Sequence, residues 1–211
     1  MYSRLINSLI QRLERELPSA LAHEPLRATP VGPVRPKFKT DEQPRSGSVL
    51  ILLYEDQGEI KFPLIKRPEY AGAHGGQVSL PGGKTEPGED SIQTALREAN
   101  EEIGVYSPDV NVLGRLTEFH VLPSNFLITP VVAAIPYRPV FIPDSYEVAK
   151  ILSGTVNELI KDDAVMITEV LAAGQYRMQA PHFKIEDEVV WGATAMMLNE
   201  FRLILREIMG S

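Results

Sequence analysis

Apolar residues alternate with polar ones along this chain in two periods, and the change of period marks out its elements. Leu5, Ile6, Leu9, Ile10, Leu13 and Leu17 recur at three- and four-residue steps. That spacing predicts an amphipathic helix over residues 3–17, capped by Ser3 and stopped at Pro18. Its polar face carries mixed charge, so packing on the same domain or on a partner subunit is expected rather than a lipid surface. Pro25, Pro30, Pro33, Pro36 and Pro44 then exclude a regular element and predict an extended connector. Residues 48–54 are almost continuously apolar, as in a strand buried on both faces, and residues 60–66 return as a second strand after a turn at 56–58. A helix is expected over 90–102, capped by Asp90 or Ser91 and ended by Gly104. Strands are expected at about 109–119 and 126–136. Residues 147–152 and 157–160 look helical, 165–170 fits a strand or a helix start, and 183–185 fits a strand. A long terminal helix covers 193–208. Strands and helices intermixed in this way predict an α/β layered fold, divided as a helical extension (1–24), a proline-rich connector (25–47) and one main domain (48–211).

Charge changes this picture by exclusion. The 211 residues include 28 acidic and 21 basic side chains, a net charge of -7. No nucleic-acid partner held by phosphate contacts alone is expected, since that needs surplus Lys and Arg. A phosphorylated small molecule stays open if a divalent metal supplies positive charge locally. Cysteine is absent, which excludes disulfides, thiolate metal sites and a cysteine nucleophile, and fits a cytoplasmic location. No apolar run approaches the ~20 residues of a membrane span, so no membrane partner is expected, and the first residues lack the apolar centre of a signal peptide.

The acidity is concentrated. Six acidic and two basic residues lie between Gly82 and Gly104. Glu98, Glu101 and Glu102 share one side of the predicted helix, where like charges repel. They also occupy its last turn, where the helix dipole disfavours anions. Two broken local rules in one place mark a functional site. A hard cation, Mg²⁺ or Mn²⁺, would relieve both, because it takes carboxylate oxygens. Gly82 and Gly83 allow backbone to approach a metal or phosphate closely, and Arg97 is placed to orient a carboxylate of the cluster.

From Gly83 the chain runs Gly, five residues, Glu89, seven residues, Arg97-Glu98-Ala99-Asn100-Glu101-Glu102-Ile103-Gly104-Val105. This resembles a complete Nudix box, with Ala99 its one soft match. The resemblance implies an α/β/α sandwich with a mixed sheet and metal-dependent hydrolysis of a nucleoside diphosphate derivative. It also implies metal binding by Glu98, Glu101, Glu102 and the Gly82 carbonyl, with Glu98 a candidate base. Arg97 and Glu89 would orient the cluster, and Gly104 would close the helix.

The flanks are similar to the coenzyme A pyrophosphatase subfamily. Arg67 ends a predicted strand, and Ala73-His74-Gly75-Gly76-Gln77-Val78-Ser79-Leu80-Pro81 leads into Gly82-Gly83. Pro123–Phe126 and Trp191–Ala195 also resemble that group. The sequence departs from it at Gly72, where Arg is usual, at Pro68 and at Leu80. The resemblance implies coenzyme A or an acyl derivative as substrate, with Arg67, His74, Gln77, Ser79 and Gly83 as binding residues. The alternative is a hydrolase of ADP-ribose, NADH or another nucleoside diphosphate derivative. A non-catalytic Nudix-fold nucleotide-binding module ranks below both, because every box glutamate is present. His23 and His182 are expected to be structural, as is His120. Trp191 is expected in the core and Glu147 on a helix surface. A homodimer is expected, with the first helix a candidate interface.

Overall fold

The computed structural model describes residues 2–32, 42–69 and 75–210. In chain order the helices are α1 (Tyr2–Leu13), α2 (Ala20–His23), α3 (Ser91–Ile103), α4 (Val156–Leu159) and α5 (Gly192–Met209). The strands are β1 (Thr29–Pro30), β2 (Arg45–Asp56), β3 (Glu59–Lys66), β4 (Val78–Ser79), β5 (Gly82–Lys84), β6 (Asn111–Arg115), β7 (Phe119–Val121), β8 (Phe126–Ala134), β9 (Lys150–Thr155), β10 (Val165–Ala172), β11 (Tyr176–Ile185) and β12 (Glu188–Trp191).

Strand β2 organises the molecule. It pairs in parallel with β8 from Arg45↔Phe126 to Leu53↔Ala134, and antiparallel with β5 and β3. The larger sheet is therefore mixed. Successive side chains of a strand point to opposite faces, and β2 divides its apolar run accordingly. Val49, Ile51 and Leu53 enter a core with Leu9 of α1 and Leu198, Phe201 and Leu205 of α5. Leu50, Leu52 and Tyr54 enter a second core with Ala95, Ala99 and Ile103 of α3. One sheet with helices on both faces is the expected α/β/α sandwich. A smaller antiparallel sheet of β1, β10, β11 and β12 adjoins it.

Several sequence expectations shift. The first helix ends at Leu13, not at Pro18. Arg12 turns the chain there, its Nη1 donating to Glu16 O at 2.9 Å and its Nε to Glu207 at 2.8 Å. Its apolar face packs on this chain's own core, with Leu5, Ile6 and Leu9 buried. Residues 147–152 are not helical. They lead into β9, which pairs with β3 from Lys66↔Lys150 to Lys61↔Thr155. That edge requires a partner for its backbone groups, and this tertiary demand outweighs a weak local preference. The ambiguous stretch 165–170 is strand, and 183–185 is the end of the ten-residue β11. The proline-rich connector is regular at both ends, as β1 and as the start of β2. Residues 33–41 of it lie outside the described residues.

Candidate active site

Helix α3 is fixed at both ends by residues legible in the sequence. Asp90 accepts from the backbone N–H groups of Ile92 and Gln93, while the Gln93 side chain accepts from Asp90 N, a complete capping box. Gly104 closes the helix with φ 72° and ψ 23°, a left-handed geometry that favours glycine. The chain beyond β8 then covers this end, with Ile142 N donating to Ile103 O and Asp144 N to Glu102 O. Carbonyls left orphaned by the helix are thus satisfied.

The last turn presents the box carboxylates. Arg97 lies at their centre. Its Nε and Nη2 donate to Glu89 at 2.7 and 3.0 Å, and its Nη1 donates to both Glu98 and Glu101 at 2.9 Å. Nη2 also reaches Lys84 O at 3.0 Å, tying the helix to β5. The Arg97 guanidinium, with help from Glu86 N–H and Thr94, holds the Glu89 carboxyl at about 2. Arg97 itself is pushed above its ordinary value, chiefly by Glu89. Glu98 is raised by burial, against the opposing Arg97, with Glu101 and Glu147 adding to the rise.

Glu102 is 1% exposed. Burial pushes it up to about 7, while Gly82 N–H and Arg67 oppose and Glu98 and Glu147 add to the rise. It accepts from Gly82 N at 2.7 Å, and Arg67 Nη2 stands 3.9 Å from its other oxygen. Glu147 is on an exposed turn, not a helix, and its field reaches both buried glutamates. No periodicity in the chain segment covering α3 signals this placement.

Space constrains the two box glycines differently. A Cβ on Gly82 would lie 2.2 Å from Ser48 O, and its φ is +150°. A Cβ on Gly83 would lie 2.5 Å from a Glu98 carboxylate oxygen. Glycine here lets β5 lie directly against the acidic turn.

On the far side of β5 opens a cleft of about 690 Å³, a volume typical of small-molecule sites. Gly82, Gly83 and Lys84 form part of its wall, with Arg67, Gln77 and Ser79 beside them. Four of the five expected binding residues therefore meet there, while His74 lies outside the described residues, as does Gly72. Ser79 Oγ is buried without a hydrogen-bond partner among the described residues. Lys66 is engaged elsewhere, donating to Glu188 at 2.8 Å.

Phe119, Phe126, Ile128, Tyr176, Met178 and Met197 make most of the remaining wall apolar. Trp191, expected in the core, is half-buried and faces this cleft, because it ends β12 just before α5 begins. His120 also lines it, 2.9 Å from Asn125 Oδ1. His23 and His182 are buried and structural, the first against Glu200 at 3.2 Å and the second 3.2 Å from Ala180 O. Sequence reasoning missed Arg27, Ala28 and Pro30, which line the cleft from the segment before the main domain. No pattern in residues 25–30 signals it, since only pairing with β11 brings them there.

The box glutamates end a capped helix, and a glycine strand lies between that helix and a cleft, on a sheet flanked by helices. The chain belongs to the Nudix family: residues 44–137 match the NUDIX domain. It is similar to the human mitochondrial coenzyme A diphosphatase NUDT8, at 32% identity over 77% of this chain and 70% of that one. Nudix hydrolase 3 of Caenorhabditis elegans is 36% identical, over 60% of this chain and 54% of its own. Among solved structures, a C. elegans Ap4A hydrolase binary complex superposes with a TM-score of 0.52 at 17% identity, covering 77% of this chain and 98% of that one. At that identity the likeness concerns the fold alone.

Proposed function

We propose that this chain is a Mg²⁺- or Mn²⁺-dependent pyrophosphohydrolase cleaving coenzyme A or an acyl derivative. The products would be (acyl-)phosphopantetheine and adenosine 3′,5′-bisphosphate. The observation that carries the reading is the make-up of the cleft. Among the described residues three cations, Arg27, Arg67 and Lys84, line it and no carboxylate does, in a chain of net charge -7. The rest is mainly apolar. Such a wall suits a bulky molecule with several phosphates and a weakly polar arm. The likeness to a coenzyme A diphosphatase supports the same choice.

The donor set fits a hard divalent cation. Glu98, Glu101 and Glu102 would hold it, with the Gly82 carbonyl. Among the described residues no three such side chains converge as they stand. Arg97 occupies Glu98 and Glu101, and Glu102 is turned to Gly82 N–H. The raised Glu102, buried with Arg67 only 3.9 Å away, marks a carboxylate short of positive charge. When bound, the metal neutralises diphosphate charge and acidifies water.

The chain's own residues do the rest. Arg67 and Lys84 bind phosphate oxygens. Glu98, its pKa raised by burial, accepts the proton of the attacking water. Arg97, held by Glu89, keeps Glu98 oriented. Ser79 donates its unused hydroxyl to the substrate. Glu147 adds negative charge from the covering turn.

The test is a substrate panel with Mg²⁺ or Mn²⁺, comparing coenzyme A, acyl forms, dephospho-coenzyme A, ADP-ribose and NADH by product mass. Release of adenosine 3′,5′-bisphosphate from coenzyme A is expected. Faster turnover of ADP-ribose than of coenzyme A would overturn the substrate reading.

A further inference from the structure

The cleft has a wall that the Nudix domain itself does not supply. Arg27, Ala28 and Pro30 contribute to it, from a segment, residues 19–31, that is fastened to the molecule at many points. Ala22 and Leu26 are fully buried. Asn199 Nδ2 donates to Ala22 O at 2.7 Å, and Ser19 N donates to Glu200 at 2.9 Å. His23 packs edge-on against Phe119, a cleft residue, with ring centres 5.0 Å apart. Beyond, Thr29 and Pro30 pair with Gln179 and Met178, and Val31 N donates to Arg177 O at 2.8 Å. The same helix, α5, that anchors this segment through Asn199 and Glu200 also lines the cleft with Met196 and Met197. The backbone at Arg27 is thereby fixed relative to the cleft.

The Arg27 side chain is the segment's only charged contribution to that cleft. Glu24 grips it from one side, accepting from Nε and Nη2 at 2.6–3.1 Å. Nη1 has no hydrogen bond to any described residue. This pair lies at the surface, with the Arg27 side chain 49% exposed, where an ion pair contributes little to stability. A guanidinium held by a carboxylate, at a cavity that no other carboxylate among the described residues lines, is prepared for an anion. It stands on a different element from Arg67 and Lys84, which line the cleft with Gly82 and Gly83.

We propose that Arg27 is a specificity residue that binds a second, monoester phosphate of the substrate. The ligand class is a nucleoside diphosphate derivative carrying a further phosphate on its ribose. Arg67 and Lys84 hold the scissile diphosphate, and Arg27 holds the terminal dianion through its forked donors. The inference rests on the coenzyme A reading and can fail independently of it.

The experiment compares wild type with Arg27→Ala on coenzyme A and on dephospho-coenzyme A, which differ only in that phosphate. For wild type, coenzyme A is expected to be the better substrate. Arg27→Ala is expected to lower kcat/KM for coenzyme A about tenfold or more, the range of a lost charged hydrogen bond. Turnover of dephospho-coenzyme A should fall much less, because that substrate lacks the phosphate Arg27 would hold. Without turnover, calorimetric binding of adenosine 3′,5′-bisphosphate should weaken in the variant while that of 5′-AMP does not. If wild type cleaves coenzyme A and the ratio of the two substrates is the same in the variant, the Arg27 assignment falls and the substrate reading stands. If wild type cleaves neither, the substrate reading falls and takes the assignment with it.

Discussion

At the scale of single residues, the site is a set of carboxylates in unequal environments. Glu89 is locked by Arg97 and stays ionised at any working pH. Glu98 is the half-buried member whose oxygens face Gly83. Replacing it by Gln keeps the shape and removes the proton acceptor. Glu98→Gln is therefore expected to lower kcat about a hundredfold or more, with the melting temperature little changed, as steady-state kinetics and thermal melting would show. Near-native turnover would displace the base from this position. Gly83→Ala tests the geometry by another route. The added methyl meets the far end of a flexible side chain, so the protein should fold, but Glu98 must move. Activity should fall at least about tenfold, since small misplacements of reacting groups are costly. Ser79→Ala removes a buried hydroxyl with no described partner. It should leave stability within about 0.5 kcal/mol and raise KM rather than lower kcat; an unchanged KM would show that Ser79 does not touch substrate.

At the scale of elements, the helix caps and the α2–α5 contact are separable from the chemistry. Asp90→Ala removes the capping box and should cost about 1 kcal/mol in chemical denaturation. Glu200 is the buried anchor of the N-terminal segment. Burial alone would raise its pKa, yet hydrogen bonds from His23, Thr117 and Ser19 N–H outweigh this and lower it. A carboxyl lowered on folding adds stability above its ordinary pKa and loses it as pH falls through the folded value. Glu200→Gln should thus cost about 2 kcal/mol at pH 7, and the gap to wild type should narrow as pH falls below the ordinary glutamate range and close only once it has passed the lowered folded value. A gap independent of pH would mean that the carboxylate charge is not what stabilises the contact. At this scale the sequence was legible wherever local chemistry decides the element, as at Asp90, Gly104 and the apolar run of β2. It misled at residues 147–152, where pairing with β3 decides.

At the scale of the whole molecule, the first helix is part of the main fold. Leu9 is fully buried between α5 and the sheet. Leu9→Ala should destabilise by about 2–5 kcal/mol, the usual cost of a large core truncation, measurable by urea unfolding. Any homodimer must use a surface other than the buried face of this helix. Light scattering gives the mass directly.

What the sequence determined by itself was the chemistry of one segment. Residues 83–105 carry glycines, an arginine and glutamates at fixed intervals, and intervals within one helix and its preceding loop survive folding unchanged. The layered fold was legible for the same reason, since periodicity is local. The tertiary structure alone decided what faces that segment. Glu147, Trp191 and Arg27 lie 45, 89 and 71 residues from Glu102, Glu102 and Glu98 in the chain, and nothing local encodes their approach. The covering of α3, the end of β12 and the pairing of β1 with β11 bring them in, because buried backbone groups must find partners. The box segment was written in spacing, whereas the cleft beside it exists only once distant elements pack.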